Sequence, residues 1–143
     1  MKRLFAVLAL AFAASAAAQL PVVQLTAGMH VVRAEVAADF TTRMQGLMHR
    51  ESLAPNAGML FVFDESATHC MWMKNTLIPL SVAFVDAGGT ILNIADMQPH
   101  SEQSHCASAP ALFALEMTRG WFAQRGVKAG MKLGGLERFA PRR

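Results

Sequence analysis

The residues best suited to do chemistry lie in the stretch Trp72-Met73-Lys74-Asn75-Thr76-Leu77-Ile78-Pro79-Leu80. A cation, an amide and a hydroxyl stand side by side at Lys74, Asn75 and Thr76, between two apolar runs that read as core. Together they could form an anion-recognising turn, with the ammonium supplying charge and the other two supplying directional hydrogen bonds. The triplet also suits a plain turn, with Asn75 left-handed, Thr76 bonded to its local backbone and Lys74 snorkelling from a strand end. Asn and Thr are frequent turn residues, so spacing alone favours the plain turn.

Glu116 is the second point of interest. Strand alternation over Ala111–Met117 puts it on one face with Leu112 and Ala114, opposite Phe113, Leu115 and Met117. Both faces are largely apolar, and a carboxylate there is costly unless paired. Lys74, Arg50, Arg43 and Arg119 are the available partners. A structural ion pair is the commoner outcome; a carboxyl of shifted pKa beside a cation in a cleft is the functional one.

The segment His69-Cys70-Met71-Trp72-Met73 carries imidazole and soft sulfur, which suit Cu(I). Methionine also fills irregular core gaps, and that use outweighs ligation here. The remaining histidines show no paired metal spacing, so neither a metal site nor a cofactor is expected. There is no Gly-x-Ser-x-Gly elbow, P-loop or His-Glu-x-x-His. Ser101, Ser104 and His105 share a loop in which such residues are ordinary.

What must hold these residues is a small exported domain. Lys2 and Arg3, the apolar run Leu4–Ala14 and Ala16-Ala17-Ala18 read as a secretory signal peptide over residues 1–18. The apolar run is short of the ~20 residues that span a bilayer, so no stable membrane insertion is expected after cleavage. The expected product, Gln19–Arg143, has the size of one domain and would be periplasmic or secreted. Without Lys2 and Arg3 it has 11 Lys+Arg against 10 Asp+Glu, a net charge of +1, which gives a nucleic-acid role little support. Cys70 and Cys106, an even pair in an oxidising compartment, favour a disulfide over a metal pair or free thiols.

Val22–Leu25 and Val31–Val36 read as strands about a turn at Ala27-Gly28. Asp39 caps a short helix with Phe40, Met44, Leu47 and Met48 on its apolar face. Met59–Phe63 reads as a buried strand, and Leu80–Val85 with Ile91–Ala95 as a hairpin about Asp86-Ala87-Gly88-Gly89. The polar segment Met97–Pro110 is long for a compact domain and suggests a rim. Ala111–Met117 is a further strand, Gly120–Arg125 a short helix ended by Gly126, and Met131–Leu133 with Leu136–Phe139 a closing strand or hairpin. The fold expected is mainly β (α+β): a small antiparallel barrel or sandwich with one or two short helices and no βαβ alternation.

Several of these segments, in their order and spacing, carry a family pattern. They are Gly46-Leu47-Met48-His49-Arg50, Leu53, Gly58–Phe63, Trp72–Leu80, Leu115-Glu116, Gly120 and Gly126-Val127-Lys128-Ala129-Gly130. From about Val31 to Leu133 the chain resembles the prokaryotic domain of unknown function 192. The resemblance implies a small, mainly-β, often exported domain with no established activity. Two positions depart from the pattern: Ser81 and Met131 stand where the family usually has Asp. The first departure weakens any acid/base mechanism needing a carboxylate there.

The expectation is therefore a binding or accessory module. Arg50, Lys74, Asn75, Thr76 and Glu116 would form a patch for a small polar or anionic ligand or a peptide. The alternatives are a hydrolase or transferase using Glu116 with Lys74, and soft-metal handling through His69, Met71, Met73 and the cysteines.

Overall fold

The computed structural model describes residues 19–139; the expected signal peptide and the tail arginines Arg142 and Arg143 lie outside them. Within that range the chain is mainly β, as expected. Its strands are β1 (Val22–Ala27), β2 (His30–Ala37), β3 (Ala57–Ala67), β4 (Cys70–Met71), β5 (Leu80–Val85), β6 (Ile91–Met97), β7 (His105–Cys106), β8 (Ala111–Thr118) and β9 (Leu133–Gly134). Two short helices, α1 (Phe40–Gln45) and α2 (Trp121–Gln124), interrupt them.

Seven strands form one sheet in the order β6-β5-β8-β3-β2-β1-β9, while β4 and β7 pair separately. The sheet is mixed rather than wholly antiparallel. β2 and β3 run parallel, with α1 in the connection between them, so one βαβ unit is present where none was expected. Its signal is faint because α1 has only six residues. The far edges of the sheet meet at one end: Thr90 bridges Lys132, and Ile91 N–H donates to the Met131 carbonyl at 2.8 Å. The sheet thus curls into a half-barrel.

Local chemistry explains most of these elements. β1 alternates, burying Val23, Leu25 and Ala27 and exposing the residues between them. The β5–β6 turn is organised by Asp86, whose Oδ1 accepts from the Gly88 and Thr90 amides at 2.9 and 2.8 Å. Gly58 lies where β3 and β8 come close; a Cβ there would strike the Glu116 carbonyl and the Met117 sulfur. Asp39 caps α1 through Thr42 N–H at 2.9 Å, a bond that holds its carboxyl below the usual range.

Two cores result. Inside the curl, Leu25, Val32, Leu60, Val85, Phe113, Leu115, Met117 and Phe122 pack together. Outside it, Met59, Phe61, Val82, Phe84 and Ala114 are covered by Leu47, Met73, Ile78 and Ala107 from the loops and by Met97 at the end of β6. β3 therefore buries both faces of its apolar run, as Met59–Phe63 suggested. Phe113, Leu115 and Met117 turn inward and Ala114 outward, while Leu112 packs with the inner cluster.

Two local readings differ from the sequence expectation. Phe40 and Met44 of α1 are 72% and 50% exposed, and it is Arg43 that turns to the sheet, donating to the Ala38 and Val62 carbonyls. Glu137–Phe139 is a 3-10 turn rather than a strand, following Gly135 at φ 93°.

Candidate functional site

The 73–76 turn is built by its backbone. Thr76 N–H donates to the Met73 carbonyl at 3.1 Å, and Asn75 sits left-handed at φ 53°. Thr76 Oγ1 donates to the Lys74 carbonyl at 3.1 Å. Neighbouring loops clamp the turn: His49 N–H reaches the Asn75 carbonyl at 2.9 Å, and His100 N–H the Thr76 carbonyl at 3.1 Å. Asn75 and Thr76 are thus employed as turn residues. Lys74 is exposed, its Nζ 5.2 Å from the centre of the Trp72 ring.

Glu116 occupies the middle of the outer face. Its row across the sheet runs Glu35, Met59, Glu116, Val82. The side chain is buried, and no hydrogen bond or ion pair holds its carboxyl among the described residues. Loss of water alone pushes its pKa up to about 8, so the group is mostly protonated at neutral pH. The expected pairing with Lys74 or an arginine is not made. Arg50 instead grips Glu35 with two bonds of 2.9 Å, Arg43 pairs with Asp64 at 2.9 Å, and Arg119 lies 3.8 Å from Asp96.

Glu116 faces a narrow cleft of about 30 Å³, whose walls include Arg43, Phe61, Met71, Trp72, Lys74 and Thr76. No side-chain polar atom among the described residues is both sealed from solvent and unpartnered, so the Glu116 oxygens keep contact with this cleft. The cleft opens off a larger groove of about 310 Å³. Arg43, Met44, Phe61, Met71 and Trp72 line both. Phe40, Phe63 and His69 complete the groove's apolar surface, the last two stacked at 3.7 Å, and Asp64 and Glu65 stand at its rim.

The structure therefore gathers Lys74, Thr76 and Glu116 around one cleft and leaves Arg50 and Asn75 outside its lining. It adds a groove that the sequence reading missed. The available signal was Phe40 and Met44, one helical turn apart, on a helix too short to bury them.

The metal-like segment is taken apart. Cys70 and Cys106 form a disulfide joining β4 to β7, Met73 is buried in the outer core, and His69 lies against Phe63. Among the described residues no cluster of His, Cys, Asp and Glu could hold a metal ion. Ser81 is buried, donating to Asp96 Oδ1 at 2.6 Å and accepting from Gly120 N–H at 3.0 Å. A carboxylate is thus still present there, supplied from the partner position on β6. Met131 packs against the inner core.

The family profile described as an uncharacterised ACR, domain of unknown function 192, matches residues 23–135. A protein of unknown function from Novosphingobium aromaticivorans DSM 12444 has a similar crystal structure, with TM-score 0.78 and 35% identity, covering 81% of this chain and 86% of that one. A second, from Sinorhizobium meliloti 1021, is provisionally described as a transcription regulator; it has TM-score 0.74 and 39% identity, covering 78% and 90%. A comparison with curated proteins finds no match.

Proposed function

The chain belongs to the domain of unknown function 192 family, and from that premise we propose that it is an exported binding module whose groove receives an apolar group of a small molecule or peptide. The observation that carries this reading is the exposure of Phe40, Met44 and Trp72 around one hollow. Exposed apolar side chains scattered singly need no explanation, but a contiguous set around a concavity marks a binding surface. A volume of about 310 Å³ is at the small end of ligand sites, which suits a fragment or one or two side chains. Export is supported by the signal-like residues 1–18 and by the disulfide, which persists in oxidising compartments.

The enzyme alternative has less behind it, because Lys74 stands over Trp72 and makes no ion pair with Glu116. A transcription-regulating role, as provisionally described for the Sinorhizobium relative, gains no support from a recognition helix, since α1 and α2 have only six and four residues.

Amide NMR of the isotope-labelled protein, titrated with 3-phenylpropanol, tests the reading. Shifts confined to Phe40–Met44, Phe61–Glu65 and His69–Lys74, abolished in the F40S/M44S variant, are expected. Shifts scattered over the surface, or none at millimolar concentration, count against it. Cell fractionation tests export: the expected finding is mature protein, beginning near Gln19, outside the cytoplasm.

A further inference from the structure

We infer that the groove's ligand is an apolar carboxylate, its hydrocarbon body lying against Phe40, Met44, Phe63 and Trp72 and its carboxylate seated in the cleft above Glu116. This rests on the groove being a binding site and names the chemical class that it takes.

Three observations converge on that class. The cleft's volume of about 30 Å³ is room for roughly two water-sized oxygens, the size of one carboxylate. Two cationic side chains, Arg43 and Lys74, stand on its walls. Arg43 is already paired with Asp64, but Lys74 makes no ion pair with any described acid. At the bottom lies a carboxyl with no protein partner, pushed by burial toward its protonated form. A protonated carboxyl is a donor as well as an acceptor, and its O–H can bond an incoming carboxylate oxygen in a short, charge-assisted contact. An ammonium head would instead meet two cations. An alcohol or amide head would accept the bond but gain nothing from Lys74.

The groups facing Glu116 decide how binding responds to pH. Its sheet neighbours are the apolar Met59 of β3 and Val82 of β5. The charged side chains are Arg43 from α1 and Lys74 from the turn, and Thr76 adds a neutral hydroxyl. Loss of the Glu116 proton therefore removes the donor and puts a negative charge against the ligand's own.

The carboxylate could belong to a free small acid or to the C-terminal residue of a peptide. Calorimetry with 3-phenylpropionate, 3-phenylpropanol, 3-phenylpropylamine, N-acetyl-Ala-Ala-Phe and the amide of that peptide tests both. At pH 6.5 the propionate is expected to bind at least about tenfold tighter than the alcohol or the amine, the scale of one charge-assisted hydrogen bond. Peptide binding that needs the free C-terminus assigns the ligand to chain ends; binding of the propionate alone assigns it to small acids. Propionate affinity should fall at least about tenfold between pH 6.5 and 9.5 as the Glu116 proton leaves. The E116Q variant, which has no carboxyl proton to lose, should lose this dependence on pH between 6.5 and 9.5. Equal affinity for propionate and alcohol, or a wild-type affinity unchanged at pH 9.5, overturns the inference and leaves the groove reading standing. If none of these compounds binds, both fall.

Discussion

The two faces of β8 share one backbone and differ in almost everything else. Inward, Phe113, Leu115 and Met117 enter a sealed core made by strands from around the curl. Outward, Ala114 and Glu116 lie under loops: the turn at 73–76, the segment after α1 and the strip near Ala107. The inner face is closed by sheet geometry, which permits little but tight packing. The outer face is closed by loops that meet imperfectly, and a groove with a cleft remains where they do. Glu116 is tolerated there because the cleft leaves its oxygens within reach of water and burial leaves it neutral. Stability and recognition are thus divided between the two sides of one strand.

The largest expected effect lies on the inner side. Phe113→Ala should cost about 3–5 kcal/mol in denaturant unfolding, because the curl cannot collapse around the lost ring. A loss under about 1 kcal/mol would show the inner face to be looser than its packing implies.

Breaking the Cys70–Cys106 bond by C70A/C106A releases the loops of the outer face. With a sequence separation of 36, the expected loss is about 2–4 kcal/mol. If the comparison holds, hydrogen exchange should rise in residues 69–76 and 98–108 while β1, β2 and β8 stay protected.

Glu116→Gln should act in the opposite direction, raising stability by about 2–3 kcal/mol at pH 7. The sign follows from the proton count. The folded carboxyl, with its pKa raised to about 8, holds its proton at neutral pH, whereas the unfolded one loses it near 4.5. Across that window the unfolded chain binds fewer protons, so wild-type stability declines as pH rises. Glutamine has no proton to lose, and the two curves should converge toward pH 4. Parallel curves would mean that Glu116 is ionised and solvated in the folded protein.

Smaller effects belong to surface features. Arg50→Met should cost no more than about 1 kcal/mol, since the Arg50–Glu35 pair is partly exposed. F40S should change stability by less than about 0.5 kcal/mol, because Phe40 is 72% exposed, while weakening any ligand held in the groove.

How far these features could be read in advance follows from how local their causes are. Met59–Phe63 was legible as a buried strand because only burial on both sides tolerates so apolar a run. The turn at Asp86–Gly89 was legible because Asp86 caps its own amides. Glu116 was legible as an anomaly, since alternation set a carboxyl among apolar neighbours. Its lack of a partner was not, because which cation arrives depends on loops far apart in sequence. Arg50 went to Glu35 because β2 and β3 run parallel, and the short α1 between them did not announce that crossover. The same shortness hid the groove: the spacing of Phe40, Met44 and Leu47 promised a helix face turned to the core, but Arg43 took the backbone carbonyls at that position.

The most direct measurement follows the carboxyl carbon of Glu116 by ¹³C NMR through a pH titration, with and without 3-phenylpropionate. A midpoint of about 8 in the free protein, moving higher when the ligand is present, is the predicted result. A midpoint near 4.5 that the ligand leaves unchanged would contradict the account, because Glu116 would then be neither neutral in its cleft nor part of what the cleft binds.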